Sequence, residues 1–136
     1  MRRRTSSLRE RKPVKQSKRK AEALDGRQQV MRGFAEAAAE RRQHFFYVLI
    51  REPLGPVERR RRYEEPLGDA LGELGEVTGG GSQLGEGGTI AFCGLDVVVN
   101  DRDRGLRVIR ECLRSCGAGA DTVIEEYLPT FREIRL

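Results

Sequence analysis

Tryptophan is absent from this 136-residue chain, and histidine occurs once, at His44. A lone imidazole leaves little from which to build an acid–base relay, and no Ser or Cys stands in a nucleophile motif. No run approaches the eighteen apolar residues of a membrane span, and no apolar stretch follows the basic start as a secretory signal requires. The chain is therefore expected to be cytoplasmic, without a membrane partner. Its three cysteines, Cys93, Cys112 and Cys116, are an odd number, which argues for reduced thiols and against a disulfide framework. With His44 they would formally make a Cys3His set. However, Cys112 and Cys116 fall on an apolar helical face, and nothing resembles the short knuckle that brackets a structural zinc. No metal and no cofactor is expected.

Charge is present in quantity but unevenly divided. Met1 to Gln43 carries 14 Lys and Arg against 5 Asp and Glu, a net of +9, whereas His44 to Leu136 carries 12 against 16, a net of −4. The overall +5 describes neither part, and the chain reads as a basic arm over 1–43 joined to a mildly acidic globule over 44–136. Up to Lys20 only Met1, Leu8 and Val14 offer apolar surface, too little to offset the entropy of ordering, so this stretch is expected to be mobile. Leu24, Met31, Phe34 and Ala38 then recur at helical spacing within an alanine-rich run, predicting a helix over about 21–42 with Gly26 and Gly33 as weak points.

The strongest strand signal is "HFFYVLIRE", whose two alternating sets are both apolar, so that a central strand covered on both faces is expected. Leu67, Leu71 and Leu74 recur at i, i+4 and i+7 behind Pro66, predicting a short helix, either with the proline at its first position or extended backward through "ERRRR". "EVTGGGSQL" and "GTIAFCGLDVVVN" read as two strands of a hairpin joined through "GEGG". In the second, Cys93, Leu95, Val97 and Val99 point one way, and Phe92, Gly94, Asp96 and Val98 the other. Asn100 or Asp101 can cap a helix whose Leu106, Ile109, Cys112, Leu113 and Cys116 form an apolar face ended by Gly117. "DTVIEEYL" supplies a last strand before Pro129, on which Glu125 and Glu126 must face opposite sides. The order βαββαβ predicts an α+β fold of the ferredoxin-like, split βαβ kind: an antiparallel sheet with two helices on one face, preceded by the basic, partly helical arm.

Six of the sixteen glycines fall between Val77 and Gly88, yet the segment runs from strand to strand, with no helix after it and no lysine beside it, so the requirements of a phosphate loop are not met. Gly79, Gly80 and Gly81 instead suit an edge strand that a foreign backbone can approach, with Thr78, Ser82 and Gln83 as polar contacts. Phe92 and Asp96 lie on the sheet face that two helices would leave bare. Either the N-terminal helix or a docked protein is expected to cover that face. The function expected first is a non-enzymatic binding or regulatory module that associates with a protein, or with itself, through this face and the glycine-rich edge. A second reading is nucleic-acid or ribosome association through backbone phosphates. It would use Arg2, Arg3, Arg4, Lys12, Lys15, Lys18, Arg19 and Lys20, joined by Arg59, Arg60, Arg61 and Arg62. A third places a small-molecule or enzymatic site between the glycine-rich hairpin and Asp96.

Overall fold

The structure, a computed structural model, describes residues 23–136. Helix α1 spans Gly26–Glu40. It begins where Asp25 and Gln28 form a reciprocal capping box: the Gln28 amide donates to Asp25 Oδ1 at 2.7 Å and the Asp25 amide to Gln28 Oε1 at 3.1 Å. Strand β1, His44–Ile50, follows, and all but its first residue are buried. Helix α2 occupies 56–71 as three consecutive stretches, Pro56–Arg59, Arg60–Glu64 and Glu65–Leu71. Strands β2, Gly75–Leu84, and β3, Ile90–Val99, form the hairpin. Helix α3, Arg102–Ser115, is capped by Asp101, which accepts from the Arg104 amide at 3.0 Å. Strands β4, Val123–Glu126, and β5, Arg132–Arg135, complete the chain.

The fold is α+β, with one open five-stranded sheet in the order β2-β3-β1-β4-β5 and every neighbouring pair antiparallel. Phe46, Val48 and Ile50 of β1, the Cys93, Leu95, Val97 and Val99 set of β3, and Ile124 of β4 pack under α2 and α3 through Tyr63, Leu67, Leu71, Ile109 and Leu113. On the other face Phe45, Tyr47, Leu49, Val98 and Tyr127 form a second core with Leu24, Ala35 and Ala38. The helical end of the segment 1–43 thus packs on the sheet of 44–136, and the face that two helices leave bare has α1 as its cover. Small Ala35 and Ala38 let the helix approach closely, while Phe34 turns its ring edge-on to Phe45 at 6.1 Å between centroids.

Two elements differ from the sequence reading. Of the two forms of the second helix the extended one holds, with Pro66 inside α2 and not at its start, and it contains a wide turn over Arg60–Glu64 in which the Glu65 amide reaches back to the Arg60 carbonyl. A proline ring clashes with the carbonyl four residues earlier, and a wide turn relieves that conflict without breaking the helix. The widening also changes which side chains meet. In a regular helix Glu58 would stand beside Arg62 and Arg61 beside Glu65, at i, i+4; the wide turn instead sets Arg59 against Glu64, five apart, at 2.8 Å. The second difference is β5, a fifth strand after the expected last one, with Ile124 opposite Ile134 and Glu125 opposite Glu133.

Candidate functional site

The glycine-rich strand β2 lies at the edge of the sheet, paired to β3 on one side only. Alternate N–H and C=O groups along such a strand point outward, and among the described residues no backbone or side-chain partner meets those of 76–84. The register shifts between Val77 and Gly79, where Thr78 is the extra residue of a bulge. The turn that follows uses positive φ at Gly87 (70°) and Gly88 (79°), as its glycines imply.

Cross-strand partners share a face, so the register sorts the candidate residues into two groups. Gly79 opposite Asp96, Gly81 opposite Gly94 and Gln83 opposite Phe92 lie on the α1 side. Gly80 and Ser82 lie on the α2 side and have structural duties there. A Cβ on Gly80 would stand 3.2 Å from Arg59 Nε and 2.8 Å from the Gly94 carbonyl, so the bare backbone is what admits the Arg59–Glu64 pair against the strand. Ser82 Oγ donates to the Leu54 carbonyl at 2.8 Å and accepts from Arg59 at 3.2 Å.

On the α1 side the glycines leave a shelf between the helix and the sheet edge. Tyr47 lies across Gly94, whose missing Cβ makes room for the phenol, and burial pushes the Tyr47 hydroxyl up to about 12. The Arg27 guanidinium stacks 4.8 Å above the Tyr47 ring and 5.8 Å from that of Phe92. Further along, Phe34, Ala37, Arg41, Phe45, Thr78, Asp96 and Val98 enclose a groove of about 300 Å³. Thr78 Oγ1 donates to the Asp96 backbone carbonyl at 3.4 Å. The Asp96 carboxylate is half-buried, and that burial raises its pKa above the ordinary carboxylate range.

The basic candidates divide differently. Arg2, Arg3, Arg4, Lys12, Lys15, Lys18, Arg19 and Lys20 lie outside the described residues. Arg59 is held by Glu64, and Arg62 donates to Glu52 at 2.8 Å beside the Tyr63 hydroxyl, leaving Arg60 and Arg61 exposed on the wide turn. The histidine and cysteines do not converge: His44 Nε2 sits 2.6 Å from Glu126, Cys93 is in the core under α2, and Cys112 and Cys116 approach each other at 4.0 Å on α3. Burial raises both the Cys93 and Cys112 thiols to about 11, which favours the protonated form at neutral pH.

Sequence reasoning placed Glu125 and Glu126 on opposite faces but did not foresee that both would be buried against arginines. Glu125 takes two bonds from Arg27, at 2.9 and 3.0 Å, and one from the Tyr127 hydroxyl at 2.6 Å. Glu126 takes bonds from Arg102 at 2.5 and 2.9 Å, from Arg132 at 2.6 Å and a contact from His44. The available signal was a pair of glutamates inside an apolar run. It gave no indication of the arginine partners, of which Arg27 comes from 98 residues away for Glu125. No helix among the described residues is long and apolar enough to cross a membrane. Compared with protein-family models, with curated proteins and with solved structures, the chain matches none.

Proposed function

We propose that this chain is a non-enzymatic binding module that takes an extended segment of a protein partner, or of a second copy, along the outer side of β2. One observation carries the reading: a ten-residue edge strand, "GEVTGGGSQL", holds three consecutive glycines and neither proline nor lysine, the residues by which sheet edges are usually protected. Strand addition draws its affinity from backbone hydrogen bonds, and bare glycines let the incoming chain lie close. We read the order β2-β3-β1-β4, with α2 and α3 on one face, as the ferredoxin-like split βαβ arrangement with β5 appended. In that reading β2 is outermost by topology. With α1 seated on the second face, the edge is the part of the sheet left for a partner.

Selection of extended peptides from a random library on the full chain tests the proposal. The expected result is a peptide that protects β2 amides from hydrogen exchange, and whose binding is lost in Gly81→Lys, where a Cβ meets nothing within 4 Å and the fold is spared. Sedimentation of the same two proteins reads self-association directly. Peptides that protect some other region, or a Gly81→Lys variant that binds and sediments like the parent, would overturn it.

A further inference from the structure

Five carboxylates among the described residues are withdrawn from full exposure: Glu52, Glu64, Asp96, Glu125 and Glu126. Four of them are matched. Glu52 faces Arg62, Glu64 faces Arg59, Glu125 faces Arg27, and Glu126 faces Arg102, Arg132 and His44. Asp96 alone has no cation within ion-pairing distance in the described chain, although it lies on the floor of a groove with four apolar wall residues, Phe34, Ala37, Phe45 and Val98. A carboxylate partly removed from water without a partner costs free energy that a bound cation would return.

We propose that the groove between α1 and the β2–β3 hairpin is a binding site for an organic ammonium group on a short apolar stem, with Asp96 as its counter-ion. This does not rest on strand addition at β2. The walls choose the ligand. An anion meets Asp96, a neutral apolar molecule leaves the carboxylate dehydrated and unpaired, and an ammonium on an alkyl stem satisfies both the charge and the rings of Phe34 and Phe45. The one charged side chain sharing the groove, Arg41, is exposed, and its Nε points to Gln43 Oε1 at 3.4 Å rather than to Asp96. Gly79, opposite Asp96, keeps the approach open: its absent Cβ would stand 3.1 Å from Asp96 Oδ2. A volume of about 300 Å³ is at the small end for ligand sites and suits a simple amine or the side chain of one lysine.

The test is an amide-shift titration of the full chain with pentylammonium and, separately, with Nα-acetyl-lysine methylamide. Pentanol and pentanoate serve as neutral and anionic controls. Saturable shifts at Thr78, Asp96 and Ala37 are expected with at least one of the two ammonium compounds. Which of them binds more tightly tells a free amine from a lysine side chain as the natural occupant. Asp96→Asn is expected to weaken the interaction by tenfold or more, and Phe34→Ala, at a ring already 46% exposed, to weaken it without loss of the fold. Pentanol binding as well as pentylammonium, no saturable shift with either ammonium, or full affinity in Asp96→Asn would overturn the assignment.

Discussion

Arg27, in the first turn of α1, and Glu125, in β4, meet through two parallel hydrogen bonds at 2.9 and 3.0 Å, with the carboxylate side chain 2% exposed. This is the polar fastening of α1 to the sheet, and Gln28 adds a longer bond to the same carboxylate at 3.4 Å. Removing one partner of a buried pair strands the other charge. Arg27→Ala should therefore destabilise the protein by about 3 kcal/mol. Urea unfolding measures the loss, and hydrogen exchange should show α1 amides opening before those of β1. Equal protection of both elements in the variant would mean that the apolar contacts of Ala35 and Ala38 hold the helix alone.

On the opposite face Glu126 sets a pH dependence. Burial by itself would raise its pKa, but hydrogen bonds from Arg102, His44 and Arg132 outweigh it and hold the carboxyl below the ordinary range. A carboxyl whose folded pKa is depressed contributes stability that is present above its unfolded value and lost as pH falls through the folded one. Melting temperature should thus drop on acidification below about pH 4 to 5, near the ordinary glutamate value. Glu126→Gln should lower it at neutral pH and flatten the acid limb. A variant whose acid limb matches the parent's would remove Glu126 from the account.

Asp96 carries the opposite sign. Its folded pKa is raised, so the ionised form detracts from stability above the carboxylate range and ceases to do so once both states are protonated. Asp96→Asn should raise the melting temperature at pH 7, and that gain should vanish near pH 3. A variant less stable than the parent at pH 7 would show that Asp96 already has a cationic partner in the chain.

Gly94 and Tyr47 form a coupled pair, since a Cβ on the glycine would overlap the phenol. Gly94→Ala should cost about 3 kcal/mol through overpacking. In a Tyr47→Ala background the same change should cost under about 1 kcal/mol, and chemical denaturation of the four proteins in the cycle measures the difference. Additive costs would mean that the strand backbone, not the ring, is what excludes a side chain at position 94.

Much of this architecture was written in periodicity. The doubly apolar β1, the alternation along β3, the Asp101 cap and the Leu106 to Cys116 stripe of α3 are local patterns, and the structure follows them. What was hidden depended on distance along the chain. Strand β5 has one inward apolar residue, Ile134, and three exposed charged ones, too weak a pattern to register without the β4 neighbour that fixes it. The wide turn in α2 comes from a contest between Pro66 and a helix that tertiary packing of Tyr63 and Leu67 insists on continuing. Burial of Glu125 and Glu126 follows from arginines on other elements. At the site, the edge position of β2 and the oddity of Asp96 could be read from glycines and alternation. The groove could not, because Phe34 and Arg41 reach it only once α1 lies on the sheet.

The two borders of the sheet are unlike each other. Strand β5 is four residues long and presents Arg132, Glu133 and Arg135 to solvent, whereas β2 is ten residues long and nearly uncharged. Repulsion and desolvation guard the first, so the self-association proposed above would pair β2 against β2, about a twofold axis. Such a union would use up the receptive border of both molecules at once and end there as a closed pair, not a fibre.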